Sequence, residues 1–243
     1  MRTATNPEQP PLFLSAHVYA CERPEGIVFL DLRTLTYFAL DASSAPSLRA
    51  NVADWPRAAC SQAGHEHPIP DEVLRSLSAR GALTRGGPNH TYASASAIAT
   101  SFCSPDWSIR RRAGDSVLMM FRVAVVYIRV ASALRFRRLS TLLAHLQHIR
   151  KDQRAARYLH HRDIQALLTL FAKSRVWFYT SRDACLLDSL VMAFVLRRYG
   201  VPAKLHIGAA LMPFSAHAWI QIRHCVLDDT VEHVRQFTTL LVA

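Results

Sequence analysis

The sequence changes character along its length, and this change constrains the fold more than any other feature. Residues 14–40 hold short apolar runs rich in β-branched and aromatic residues, which are typical of strands. Residues 107–171 instead carry long apolar segments at helical spacing. Between them, residues 86–104 contain Gly-Gly-Pro and many Ala, Ser and Thr residues, as linkers do. The sequence predicts an α+β protein with domains at 1–85 and 105–243 and a linker at 86–104.

The first domain is predicted to be small, with three strands followed by short helices. The polar residues 41–44 are typical of a helix start, and Gly81 is typical of a helix end. The predicted strands are Leu14–Cys21, Ile27–Leu32 and Leu35–Leu40, and the predicted helices are 45–55 and 72–80.

The second domain is predicted to begin with helices and to end with strands. Gly200 and Pro202 follow the last long helix, where a glycine cap and a proline commonly stand. The segment 231–241 is predicted as helix or coil. The predicted helices are 117–137, 140–149, 163–171 and 184–199, and the predicted strands are 203–209, 216–222 and 225–229.

One segment, Val117–Leu134, is apolar and about as long as a membrane span. It contains Arg122 and Arg129, which fall near the same helical face and would cost several kcal/mol in lipid. We predict a core helix and no membrane span, with a membrane-surface helix as the alternative. The N-terminus carries Pro and Glu where a signal peptide needs an apolar run, so we expect a cytoplasmic protein.

The chain is basic, with 29 Lys and Arg residues against 18 Asp and Glu residues and a net charge of +11. The excess lies in the helical region 129–162, which is either a solvated face or a surface for phosphate or acidic peptide. Residues 14–83 are not notably basic. A nucleic-acid binder is therefore only an alternative, and we predict no nucleic-acid partner.

The five cysteines are odd in number, and no two of them stand at CxxC spacing. This argues against a disulfide framework and against a thiolate zinc site, and it favours a reducing compartment. The sequence also lacks HExxH and other Cys/His metal spacings, so we predict no metal site.

Cys185 is the first candidate for chemistry because it opens a predicted helix. Ser181, Arg182 and Asp183 precede it as polar capping residues. A thiol in the first helical turn feels the positive end of the helix dipole, which stabilises the thiolate. The alternative is a small buried core residue. Cys225, in the middle of a predicted strand, is interpreted as core.

His217 lies on a predicted strand, where alternation places it on the same face as Trp219. A base for a thiol nucleophile needs a third group to orient it, and Asp228 and Asp229 follow on the next strand. A two-residue turn between these strands would place Asp228 on the face of His217, whereas an odd loop or a bulge would place Asp229 there. The alternatives are a hydrogen-bonded strand histidine and a polar loop.

The residues around these positions resemble a known family. CLLDSLVMAFVLRRYGVPAKLHIGA from Cys185, SAHAWIQI around His217 and the later VLDD are similar to the transglutaminase-like cysteine peptidases that mature lasso peptides. The spacing of 32 residues from Cys185 to His217 and 12 from His217 to Asp229 suits that family. Asp228 stands where the family usually has Asn, which leaves the choice between the two carboxylates slightly open.

The resemblance implies a fold and an activity. Residues 14–83 would be a winged-helix-like recognition element that adds a leader peptide as a strand to its sheet. A transglutaminase-like or papain-like cysteine peptidase domain would follow, with a helical first half and a C-terminal antiparallel sheet. Cys185 would attack the leader–core bond, His217 would transfer the proton and Asp229 would orient the imidazole. Further oxyanion or cleft candidates are Ala184, Trp219 and Ser189.

The resemblance also implies partners. These are a lasso precursor peptide and an ATP-dependent asparagine-synthetase-like cyclase in a bacterial cytoplasm. It implies no covalently bound cofactor and a requirement for ATP, although the sequence shows no ATP motif. The alternatives are a non-catalytic adaptor that presents a leader peptide and a transglutaminase-like acyltransferase acting on another peptide.

Overall fold

A computed structural model describes residues 11–56, 71–87, 101–102, 113–136, 138–149, 168–169, 171, 185–227 and 229–243. The chain forms two compact units. The first comprises Met1–Leu32 and Thr36–Ser94, and the second comprises Arg33–Leu35 and Ala95–Ala243.

The first unit contains a three-stranded antiparallel sheet in the order β2-β3-β4, and a separate antiparallel pair of β1 with β5. β2 and β3 are more deeply buried than β4, which stands at one edge of the sheet. The elements are β1 Phe13–Leu14, β2 Val18–Arg23, β3 Gly26–Asp31, β4 Thr36–Asp41, α1 Ala45–Asn51, α2 Asp71–Ala79 and β5 Leu83–Thr84.

The core of this unit is built around Phe29 of β3. Its ring stacks on Phe38 of β4 with centroids 4.7 Å apart and meets the edge of Trp55 at 5.9 Å. Glu22 of β2 accepts hydrogen bonds from Trp55 Nε1, at 3.3 Å, and from Arg49 Nε, at 3.0 Å. Aromatic packing and one partly buried carboxylate thus fix α1 and the residues after it on the sheet.

Two details differ from the predicted elements of this unit. The first predicted strand is broken in two, because Ser15 turns away and bonds to Gly81 and Ala82, with its hydroxyl 2.6 Å from the Gly81 carbonyl oxygen. Neither Asp41 nor Ser44 makes a side-chain capping bond, and a 3-10 turn over Ala42–Ser44 precedes α1 instead. Gly81 does end α2, with the positive φ of +70° that glycine tolerates.

The second unit combines helices with a five-stranded sheet in the order β10-β7-β8-β9-β6. All neighbours in the sheet are antiparallel except β9 and β6. The elements are β6 Ser101–Phe102, α3 Ala113–Arg135, α4 Leu139–Ile149, α5 Cys185–Arg198, β7 Lys204–Ala210, β8 Ser215–Ile222, β9 Cys225–Val226, α6 Val231–Val234 and β10 Thr238–Val242.

The predicted helix 163–171 is helical at Leu168, Thr169 and Phe171, and its other residues lie outside the described part of the chain. The segment 231–241, predicted as helix or coil, instead forms the short helix α6 and the strand β10. β10 pairs with β7, and the backbones of Leu205 and Ala243 bond in both directions at 3.0 and 2.9 Å.

Helix α5 is the centre of this unit, with most of its residues buried. The buried guanidinium of Arg197 donates from Nε to the Ala203 carbonyl oxygen at 2.8 Å and from Nη1 to the Leu146 carbonyl oxygen at 2.5 Å. These charge-assisted bonds connect α5 to α4 and to the segment before β7. Gly200, at φ +77°, allows the turn between them.

Helix α3 contains the long apolar segment noted in the sequence. Arg122 on this helix donates from Nη1 to the hydroxyl of Tyr199 at 3.3 Å. Within the described residues, no helix combines the length and apolar character needed to cross a membrane.

Candidate active site

Cys185 is the first residue of α5 and is half-buried. Its thiol hydrogen-bonds to His217 and lies close to the backbone of Ala218 and Leu186. Residues 181–184 lie outside the described residues, so the capping sequence before Cys185 and the role of Ala184 stay predictions.

His217 reaches the thiol from β8, the central strand of the sheet, which contacts α5. Its Nε2 atom lies 2.7 Å from Oδ2 of Asp229. Because Nε2 faces the carboxylate, Nδ1 is the nitrogen left for the thiol. The structure therefore brings together Cys185, His217 and Asp229, which we call the Cys-His-Asp group.

The position of Asp229 shows why strand alternation does not decide between Asp228 and Asp229. The β8–β9 turn has two residues, because Ile222 pairs with Cys225. Strand alternation alone would then favour Asp228, which lies outside the described residues. β9, however, ends at Val226, so the alternation of faces does not extend to residue 229. The carboxylate of Asp229 reaches His217 from a loop, where strand parity no longer applies.

The electrostatics of the group favour charge separation. Burial acts to raise the pKa of the Cys185 thiol, but the hydrogen bond and charge of His217 and the backbone contact at Ala218 outweigh it, so the pKa is lowered. Burial acts to lower the pKa of His217, but the bonds to Asp229 and Cys185 raise it to about 9. A thiolate beside an imidazolium is the form that these shifts favour near neutral pH.

Burial acts to raise the pKa of Asp229, and the hydrogen bonds from His217 and His233 overcome this effect and lower the pKa to about 2. The other carboxylate oxygen, Oδ1, accepts from the backbone N–H of Thr230 at 2.7 Å. The carboxylate is therefore ionised and held at both oxygens, so it can orient the imidazole of His217.

His233 also belongs to this site, although the sequence did not predict it. Its Nδ1 lies 2.5 Å from Oδ2 of Asp229, the same oxygen that faces His217. Thr230 caps α6 by accepting from the His233 backbone N–H at 3.2 Å, which places the side chain. The available signal was His233 standing four residues after Asp229 and three after Thr230, a residue suited to capping a helix.

The structure also groups three potential metal ligands that no sequence motif indicated. His217 Nε2, Asp229 Oδ2 and His233 Nδ1 lie within 4.8 Å of one another. The sequence predicted no metal site because it lacks the usual spacing motifs, and these ligands come from a strand, a loop and a short helix.

Aromatic rings surround the His217 imidazole. The ring of Trp219 is stacked at 6.0 Å with an interplanar angle of 12°, and the ring of Phe237 lies at 5.1 Å. Trp219 is buried, and on its other side it stacks with the buried His206 at 5.3 Å. Burial, with a smaller contribution from Lys204, lowers the pKa of His206 to about 4, so this second imidazole is neutral.

Ser189, one of the cleft candidates, is buried and donates from Oγ to the Ala218 carbonyl oxygen at 2.9 Å. It therefore joins α5 to β8, directly beside His217. Trp219, another of the cleft candidates, stacks on the imidazole of His217.

The basic helices form a pocket elsewhere in this unit. A cavity of about 400 Å³ lies among α3, α4 and α5. Its floor is apolar, with Phe194 stacked edge-on to His145 at 6.3 Å, and its basic residues are Arg129, Arg198 and His145. The Arg and Lys residues at 150–162 lie outside the described residues.

The cysteines correct one expectation. Cys21 and Cys185 are free, and Cys225 is disulfide-bonded. The odd count and the lack of CxxC spacing had argued against disulfides, and Cys225 had been interpreted as core. The error arose because an odd total does not prevent two of the five cysteines from pairing.

Part of the chain matches a known protein family. Residues 124–242 match the family Transglut_core3, described as Transglutaminase-like superfamily. No curated protein and no solved structure matches the chain significantly. The matched residues include Cys185, His217 and Asp229 and all of the strands from β7 to β10.

Proposed function

We propose that the transglutaminase-like domain at residues 124–242 is a cysteine peptidase whose substrate is a ribosomally made peptide. The observation that carries the proposal is the Cys-His-Asp group. A half-buried thiol at a helix N-terminus bonds to an imidazole, which a carboxylate holds at 2.7 Å. This arrangement is what nucleophilic catalysis by cysteine requires.

In the proposed reaction, the Cys185 thiolate attacks the carbonyl carbon of a peptide bond and forms a tetrahedral oxyanion. The backbone N–H of Cys185 lies at the N-terminus of α5 and would donate a hydrogen bond to this oxyanion. The positive end of the helix dipole would stabilise the same negative charge. As the intermediate collapses, the C–N bond breaks and the His217 imidazolium gives its proton to the leaving amine. Neutral His217 then takes a proton from water, whose oxygen attacks the thioester and releases the acid and the thiol.

We further propose that the substrate is a lasso peptide precursor and that the cut removes its leader. The resemblance around Cys185 and His217 supports this assignment. In the first unit, β4 lies at a sheet edge and is the most exposed of the three strands. A leader peptide that adds beside β4 would extend the sheet, a recognition mode in which main-chain bonds supply affinity.

The second candidate is acyl transfer, because the same thioester could be attacked by an amine in place of water. The Transglutaminase-like superfamily match supports both activities equally. A non-catalytic adaptor is disfavoured by the lowered pKa of Cys185 and the raised pKa of His217, which leader binding alone does not need.

The deciding experiment incubates the full chain with the precursor encoded beside its gene, the partner cyclase and ATP. We expect mass spectrometry to detect the free leader, and we expect Cys185→Ala to abolish its release. Cys21→Ala is the matched control, since this free thiol is buried in the first unit, where burial raises its pKa to about 12. Cleavage by Cys185→Ala would refute the proposal that Cys185 is the nucleophile. An amine joined to the new C-terminus of the product would favour acyl transfer.

Leader recognition has its own test. Hydrogen exchange of full-length Cys185→Ala, with and without leader peptide, should show slower exchange in β4 when the leader binds. Slower exchange only in β7–β10, with β4 unchanged, would contradict the recognition proposal and leave the peptidase proposal standing.

A further inference from the structure

We propose that His217, Asp229 and His233 form an inhibitory binding site for a zinc ion, whose effect on activity rests on the proposed peptidase function. The site uses Nε2 of His217, Oδ2 of Asp229 and Nδ1 of His233. Zinc would occupy the end of the Cys-His-Asp group that lies away from the thiol.

The ligand atoms are already close together. Oδ2 of Asp229 lies 2.7 Å from His217 Nε2 and 2.5 Å from His233 Nδ1, and all three atoms lie within 4.8 Å of one another. Zinc binds nitrogen and carboxylate oxygen at about 2.0–2.2 Å, which separates tetrahedral ligands by about 3.3 Å. Each histidine nitrogen must move away from Oδ2 by less than about 1 Å to accept the ion, and the two nitrogens, which lie within 4.8 Å of each other, must stand about 3.3 Å apart.

The site also has a ligand that can move and a route for the ion. The His233 side chain is 45% exposed, whereas those of His217 and Asp229 are 16% and 18% exposed. His233 can therefore rotate outward while the other two ligands keep their positions, and its exposed edge leads to solvent. Two imidazoles and one carboxylate suit zinc better than calcium or magnesium, which prefer oxygen ligands.

Zinc at this site would stop proton transfer. Each neutral imidazole has one lone pair, and on His217 the lone pair at Nε2 would be given to the metal. The proton of the ring then stays on Nδ1, so the imidazole cannot accept a proton from the Cys185 thiol. The metal-bound ring is also unable to form the imidazolium that protonates the leaving amine. Asp229 is meanwhile withdrawn from orienting the base.

The test measures zinc binding without any peptide substrate. Isothermal titration of zinc chloride into full-length Cys185→Ala should show one site, because the thiol is not a ligand in this proposal. Adding His233→Ala should weaken the affinity by about 100-fold or more, since loss of even an outer-shell partner costs about 10–100-fold. His148→Ala is the control, because His148 is exposed on α4 outside this cluster. Equal affinity with and without His233 would overturn the site.

Cobalt(II) provides a second readout on the unsubstituted protein. A visible spectrum of nitrogen and oxygen ligands, without a thiolate charge-transfer band, supports the site. A thiolate band that disappears in Cys185→Ala would overturn it by making Cys185 the ligand. Asp229→Asn should also weaken zinc binding, which covers the case that His233→Ala fails to fold. Zinc binding without leader cleavage would refute only the proposed function, and leader cleavage without zinc binding would refute only this inference.

Discussion

The imidazole of His217 is held by rings on several sides. Trp219 stacks on it, and Phe237 and His233 approach with centroids at 5.1 and 4.8 Å. These contacts restrict the rotation of the ring, and the bond to Asp229 selects its tautomer. The base is therefore oriented before a substrate arrives, which lowers the reorganisation that catalysis needs.

At this scale, Asp229→Asn tests the electrostatic role of the carboxylate. We expect kcat/KM to fall by about 100-fold or more, in the range for a disrupted general acid–base group. The alkaline limb of the pH–rate profile, expected near pH 9 from the raised pKa of His217, should move to lower pH. The direction follows because the bond and charge of Asp229 raise that pKa. An alkaline limb that stays near pH 9 would contradict this role.

His233→Ala and His233→Asn test His233 as a positioning residue. Alanine removes the donor to Asp229, so the pKa of Asp229 should rise and the acid limb of kcat should move to higher pH. We expect kcat to fall about tenfold with KM unchanged. Asparagine can place an amide N–H near the position of Nδ1 and should restore most of the rate. If the pH–rate profiles of both variants matched that of the unsubstituted protein, His233 would not be a positioning residue.

The site residues show where the sequence was informative and where it was not. Cys185 could be predicted because a helix start has a sequence pattern, and His217 because strand alternation paired it with Trp219. Asp229 required the spacing of the resembling family, since β9 is too short for alternation to reach it. His233 escaped because its position depends on α6, a helix of four residues with little periodicity.

Among the elements, β7 and β8 form the support of the site. Gly208 of β7 lies opposite His217 in the register, and Trp219 covers the space where a side chain at residue 208 would stand. A Cβ at this position would lie 2.8 Å from the Thr238 carbonyl oxygen and 3.0 Å from the Trp219 ring. The close packing of β10, β7 and Trp219 therefore requires glycine.

Gly208→Ala should accordingly destabilise the protein by about 1–3 kcal/mol through overpacking, and it should reduce activity by moving Trp219. Urea denaturation measures the first effect and kcat the second. Gly86→Ala is the control, because its Cβ would meet only Thr84 Oγ1 at 3.5 Å, an ordinary contact. Equal stability of the two variants would refute the packing argument.

Most of the regular elements could be predicted because their patterns are local. The strands β3, β4, β7 and β8 and the helices α2 to α5 follow the predicted segments within a few residues. β10 was missed because its identity depends on pairing with β7, which is distant in sequence. The break between β1 and β2 was missed for the same reason, since Ser15 is held by Gly81.

The whole molecule carries a net charge of +11, and its sequence has no acidic residue between Asp115 and Asp152. The helices α3 and α4 fall largely within that interval, so their arginines have no carboxylate on the same elements after Asp115. Repulsion among like charges opposes compactness and is screened by salt, with a Debye length of about 10 Å at 0.1 M.

We therefore expect the melting temperature to rise as sodium chloride is added at constant pH. Thermal denaturation followed by circular dichroism provides the measurement, and sucrose, which is uncharged, is the comparison for general solvent effects. A melting temperature that falls with salt would mean that ion pairs outweigh the net repulsion. The same series should leave the exchange protection of β4 by a leader peptide unchanged, because that recognition relies on main-chain bonds.

The position of β10 in the sequence affects the order in which the candidate active site is assembled during synthesis. β10 follows all residues of the Cys-His-Asp group in the chain, and it closes the sheet beside β7 while Phe237 packs on His217. During synthesis, these residues leave the ribosome after Cys185 and His217. A nascent chain therefore holds Cys185, His217 and Asp229 before β10 can pair with β7, so the packing of Phe237 on His217 is added after the three residues have been made.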